Sequence, residues 1–174
     1  MSPRKKADGA GAARARKPRT QPGDAAATAS ATPPIAASAA SARRLMRTPI
    51  EVRWRDLDAF SHVNNASFLT YVEEARLQWF QSLPGPWLTD HIAPVLAASH
   101  VNYRRPIEWP QHLAIELYAE RVGNTSLTLA HRIVAAEDDR VLYSDGYSVL
   151  VWIDRHDGKA APLPEAVRTA CSAD

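Results

Sequence analysis

The sequence predicts an α+β domain, an antiparallel sheet of about five strands packed against one long helix. Three observations carry that expectation. Ile50, Val52 and Trp54 alternate with Glu51, Arg53 and Arg55, the period-two pattern of a half-buried strand. From Asn65 to about Gln81 there is no Gly or Pro, and Phe68, Val72, Ala75 and Trp79 recur at helical spacing. Four further strand-like segments then follow without a second long helical pattern.

In chain order, the first strand is expected around residues 49–55. The helix has Leu69, Leu77 and Phe80 beside its main stripe, so it is apolar over much of its circumference and should be heavily buried. Asn64 or Asn65 serves as its N-cap, and Pro84-Gly85-Pro86 closes its far side as a loop. The remaining strands fall roughly at Pro94 to Arg104, His112 to Arg121, Ser126 to Ala136 and Arg140 to Asp154. Glu108-Trp109-Pro110, Gly123-Asn124 and Glu137-Asp138-Asp139 act as turns between them. Leu127, Leu129, His131 and Ile133 share one strand face, and Val141, Tyr143, Tyr147, Val149 and Val151 share another.

Ahead of this domain, residues 1–47 read as a disordered tail rich in Ala, Arg and Pro. The first aromatic residue of the chain is Trp54, so the tail has nothing large to bury. The expected division is a tail over 1–47 and a domain over 48–174. Charge follows the same division: residues 1–48 carry ten basic and two acidic groups, net +8, and residues 49–174 carry eleven and seventeen, net −6. A net-negative domain argues against nucleic acid as its partner, because phosphate neutralisation needs clustered Lys and Arg. No run of about 18 apolar residues is present, so no membrane span is expected. The single cysteine, Cys171, excludes an internal disulfide and a Cys-based zinc site, which fits a reducing, cytoplasmic setting.

The titratable residues crowd between Arg53 and Arg76, at the junction of the first strand and the helix. The first N–H groups of a helix lack intrahelical partners, and its positive end keeps a nearby carboxylate ionised, so the junction suits acyl chemistry by a carboxylate beside a backbone oxyanion site. Taken singly, each residue has a plainer reading. Asp56 and Asp58 serve equally as turn or helix caps; with His62 they lack the spacing of a metal site. His62 alone suits a structural hydrogen bond, and Glu73 with Arg76 suits an ion pair on a solvated helix face.

Taken together, the block Asp56-Leu57-Asp58-Ala59-Phe60-Ser61-His62-Val63-Asn64-Asn65, followed by a helix carrying Glu73-Glu74-Ala75-Arg76, resembles the hot-dog-fold acyl-CoA thioesterases of the 4-hydroxybenzoyl-CoA thioesterase type. The likeness runs from Pro49 to the end and includes Tyr103-Arg104-Arg105-Pro106-Ile107. It implies a sheet wrapped around a central helix, and dimers formed by joining sheets edge to edge, with tetramers common. It places Asp58 at the catalytic carboxylate, as nucleophile or general base, with His62 and Asn65 at the other polar positions of the motif. Many relatives have Gly where this chain has Ser61, immediately before the His.

The reaction so implied is hydrolysis of an acyl-CoA thioester to free CoA and a carboxylic acid. It needs no metal or other cofactor, CoA entering as part of the substrate. Ser61, Asn64, Arg104 and Arg105 are the expected substrate-binding residues, the arginines for CoA phosphates. A non-catalytic acyl-thioester binding module and a hot-dog enoyl-CoA hydratase are the alternatives. The hydratase pattern spaces its Asp and His five apart in an Asn-Pro segment, whereas Asp58 and His62 are four apart with no Pro between them.

Overall fold

The computed structural model describes residues 43–172; residues 1–42, which hold most of the expected tail, and residues 173–174 lie outside the described residues. The elements are β1 (Arg44–Glu51), a 3-10 turn (Trp54–Asp56), α1 (Asn65–Gln81), β2 (Ile92–Tyr103), β3 (His112–Val122), β4 (Ser126–Ala135), β5 (Leu142–Asp154) and α2 (Glu165–Ser172). All five strands form one antiparallel sheet in the order β1-β3-β4-β5-β2, with β1 and β2 at its edges.

Helix α1 lies against one face of the sheet, and its helical spacing explains why. Phe68, Tyr71, Val72, Ala75, Trp79 and Phe80 are buried along one stripe. They share the core with Leu113 and Ile115 of β3, Leu129 and Ile133 of β4, and Leu150 and Trp152 of β5. Side chains of that size release about 1.5–3 kcal/mol each on leaving water. The stripe is narrower than the sequence implies, since Leu69 and Leu77 remain exposed. Asn64 supplies the cap, its side chain accepting from the Ala66 N–H at 2.9 Å.

Two boundaries differ from the expected ones. Strand β1 starts at Arg44, inside the expected tail, because Arg44 Nη1 lies 2.7 Å from the buried Glu116 carboxylate on β3. It ends at Glu51, ahead of the alternation that was to reach residue 55. There Asp56 accepts hydrogen bonds from the Arg53 backbone N–H and guanidinium, drawing Trp54–Asp56 into a tight turn. Trp54 consequently leaves the core and is 70% exposed, edge-on to Trp109 with ring centroids 5.4 Å apart.

Helix α2 is an element the periodicity does not announce. It is only eight residues long, yet it seats Val167 in the core, with Ala170 and Cys171 packed against the same cluster. Burial pushes the Cys171 thiol up to about 11. Among the described residues no helix is long and apolar enough to cross a membrane.

Candidate active site

The loop between the 3-10 turn and α1 is held from three directions. Leu57 and Val63 bridge across its base. The Asn64 N–H donates to the Asp56 carbonyl at 2.8 Å, and the Val63 N–H donates to the Ile107 carbonyl at 2.8 Å, tying the loop to the segment before β3. Below it, Asp56 is buried and accepts from Arg53 and from the Tyr71 hydroxyl at 2.7 Å. Burial disfavours its charge, but the Arg53 and Tyr71 hydrogen bonds outweigh that and hold the Asp56 carboxyl below the usual carboxylate range. Burial and the adjacent Asp56 carboxylate push the Tyr71 hydroxyl upward. Asp56 is therefore the fastener of the loop.

Asp58 stands on the open side. Its Oδ1 accepts from the Phe60 N–H at 2.8 Å and from the His62 N–H at 3.4 Å, while Oδ2 has no partner among the described residues. The plain reading of Asp58 as a turn cap is thus met by one oxygen, and the other stays available. Its side chain faces a cleft of about 240 Å³ that also takes in His62, Asn65, Phe68, Tyr103 and Arg105. Tyr103 packs edge-on against Phe68, with centroids 5.0 Å apart, and donates its hydroxyl to the Asn65 carbonyl at 3.2 Å. These two aromatic walls carry no signal in the Asp-His-Asn block itself.

The remaining expected residues separate. His62 lines the cleft, with Nε2 3.8 Å from Glu108 on the exposed rim. Asn64 does not reach the cleft lining, because its side chain is committed to capping α1. Ser61 is also absent from the lining; its part is in the backbone, where φ is +63°. That left-handed conformation is one that Gly adopts freely and Ser only at some strain. Arg104 lines the cleft, but its guanidinium is held by the buried Asp145 carboxylate at 3.0 Å, which Asn102 also contacts at 2.8 Å. Arg105 makes no side-chain hydrogen bond or ion pair among the described residues and lines the cleft as a free cation. No group of three or more His, Cys, Asp or Glu side chains among the described residues is arranged to hold a metal ion.

The chain is similar in sequence and fold to known proteins. The family model of the thioesterase-like superfamily matches residues 52–171. The long-chain acyl-CoA thioesterase FadM of Escherichia coli (strain K12) is 33% identical over 125 residues, covering 71% of this chain and 94% of its own. Among solved structures, an acyl-CoA thioesterase candidate from Xanthomonas campestris is 49% identical with a TM-score of 0.63, covering 69% of this chain and 99% of that one. A thioesterase from Thermus thermophilus, solved with coenzyme A and Zn, is 37% identical with a TM-score of 0.62, covering 74% and 92%. With its five-stranded antiparallel sheet folded over α1 as in these hot-dog structures, the chain belongs to the thioesterase-like superfamily.

Proposed function

We propose that the protein hydrolyses acyl-CoA thioesters, with Asp58 as the reacting carboxylate. The observation that carries this reading is the position of Asp58: one oxygen is pinned by loop N–H groups and the other is free in a cleft at the start of α1. At that helix start the N–H groups of Asn64, Ala66 and Ser67 are all engaged, which leaves the Asn65 N–H without an acceptor among the described residues. It is the group best placed to receive the oxyanion, reinforced by the positive end of the helix. The free Asp58 oxygen then either attacks the carbonyl, giving a mixed anhydride that water resolves, or takes a proton from the attacking water. In a single turnover in oxygen-18 water, label in Asp58 identifies the anhydride route with water attacking the Asp58 carbonyl, whereas label in the acid alone marks attack of water at the acyl carbon.

Arg105 is the cation available to CoA phosphate, and Arg104 shapes the cleft from its bond to Asp145. His62 and Asn65 line the same cleft, where they would border the thioester carbonyl. Strand β2 is twelve residues long, lies at the sheet edge and is largely exposed, so a second copy pairing along it would satisfy the edge and close the cleft. We accordingly infer a homodimer or a homotetramer. Sedimentation at micromolar concentration should give at least twice the 19.1 kDa chain mass; an active monomer would remove the shared-cleft geometry. The activity itself is tested by thiol release from a panel of aliphatic and aryl CoA thioesters. Absence of turnover across the panel would end the hydrolase reading.

A further inference from the structure

Further along α1 from the Asp58 cleft, the seam between this helix and β2 holds a second pocket of about 140 Å³, bordered by Leu69, Glu73, Arg76, Leu96, Ser99 and Ser148. Asn65, Leu69, Glu73 and Arg76 recur at spacings of three and four, so they lie on one side of α1, and Tyr103, Ser99 and Leu96 run along the inner side of β2 opposite them. The second pocket therefore lies further along the same side of α1 than the first. Arg76 stands eleven residues beyond Asn65, about 16 Å along the helix axis.

The walls of this second pocket at Leu69 and Leu96 are apolar, but its depth is polar and unsatisfied. Arg76 is 7% exposed and donates no hydrogen bond among the described residues; its one ion pair is with Glu73 on the rim, at 3.6 Å. Burial lowers its pKa from the usual guanidinium value. Ser148 Oγ is buried without a partner. Outside the pocket lining, both ring nitrogens of His131 are also buried without a partner; Gly146, its neighbour across the sheet, lies two residues before Ser148 on β5. A Cβ at 146 would run into the His100 backbone carbonyl and lie 2.8 Å from His131 Cε1, so no side chain fits there. A buried hydroxyl without a partner, such as that of Ser148, costs stability unless something in the pocket pairs with it.

We propose that this pocket, on the thioesterase reading of the Asp58 cleft, receives the far end of the acyl chain and selects an acyl group bearing a hydroxyl there. Arg76 supplies donors, Glu73 an acceptor, and Ser148 both, which is the complement of a group that donates and accepts at once. Charge points to the same class. Arg76 and Glu73 offset one another and burial keeps His131 neutral, pushing its pKa down to about 4, so the pocket offers no net positive charge to a carboxylate. A terminal methyl would leave the Ser148 hydroxyl buried and unmet and give Arg76 nothing to donate to.

Calorimetric titration with non-hydrolysable S-alkyl-CoA thioethers, plain and hydroxyl-terminated at matched chain lengths, reads the pocket without turnover. At the length that reaches this pocket, the hydroxyl-terminated ligand should bind about tenfold more tightly, the worth of one hydrogen bond to a charged group. Arg76→Met should reduce that ratio toward one, and so should Ser148→Ala, a change small enough to keep the fold. Equal affinity of the two series at every length overturns the inference, as does a hydroxyl preference that both variants retain or tighter binding of carboxylate-terminated ligands. A hydroxyl preference without hydrolysis of the matching thioesters overturns the proposed activity and leaves the pocket standing; hydrolysis of plain chains without the preference does the reverse.

Discussion

Replacing Asp56 and Asp58 separately by Asn should divide stability from turnover. Asp56 is buried, with Arg53 and the Tyr71 hydroxyl directed at its carboxylate. Asp56→Asn loses the ion pair with Arg53, whose side chain is half exposed, at about 1 kcal/mol after solvent screening. It weakens the Tyr71 bond from charge-assisted to neutral, about 1 kcal/mol more. It also turns an amide N–H toward donors that cannot accept, at about 1–2 kcal/mol. The loss of roughly 3 kcal/mol should lower Tm by on the order of 10 °C for a domain of this size. Asp58→Asn keeps the carbonyl oxygen that Phe60 uses, so its Tm should stay near wild type. Its thioesterase turnover should fall by about 100-fold or more, because the free oxygen no longer serves as base or nucleophile. Thermal melts and thiol-release rates on the same preparations, taken below the lower Tm, give both readouts. A stable but inactive Asp56→Asn beside an active Asp58→Asn would show that the roles of the two carboxylates have been exchanged.

Three further outcomes follow from the same geometry. His131, with a folded-state pKa of about 4 against an unfolded value near 6.5, binds its proton later in the folded state; the stability this confers is fully present above about pH 6.5 and is lost as pH falls toward 4, on the order of 3 kcal/mol. Urea midpoints across that window should fall in the wild type and fall less in His131→Leu; parallel curves would refute the assignment. Ser61→Gly should raise stability by about 0.5–1 kcal/mol, because φ of +63° suits Gly, and a lowered Tm would show the strain to be absent. A chain starting at Arg43 should melt like the full-length protein. One starting at Met46 loses Arg44 from Glu116 and should be less stable by about 1 kcal/mol; identical melting of the two would make that ion pair irrelevant.

Helix α1 was readable to the residue because its apolar spacing, its Asn64 cap and the Pro-Gly-Pro beyond it agree. The four later strands were readable to within a few residues, since turn residues bracket each alternating run. Strand β1 was misplaced for a tertiary reason: Glu116 draws Arg44 and Arg47 onto the sheet from what reads locally as tail. Short α2 gives too few turns for periodicity to register. At the site, the block from Asp56 to Asn65 revealed where the polar groups gather but not how they divide their work. Asn64 is committed to a helix N–H two residues on, a choice that Asn65 could equally have made, and Arg104 to an Asp145 that lies forty-one residues away. The buried state of Arg76 was hidden because a Glu three residues earlier suggests a solvated pair, whereas in the fold its side chain is enclosed in a pocket shared with Ser148 of β5.

The fastening of the Asp58 loop bears on how the protein should respond to heat. Amide protons at Asn64 and Val63 are bonded to the carbonyls of Asp56 and Ile107, and both of those residues are buried. Releasing either amide to solvent means opening the core, so they should exchange with deuterium as slowly as the amides of β4, while Ala59 to Ser61 at the loop tip exchange quickly. Loop and core then belong to one cooperative unit. Warming should remove turnover only where it melts the sheet, with no inactive but folded form preceding the transition.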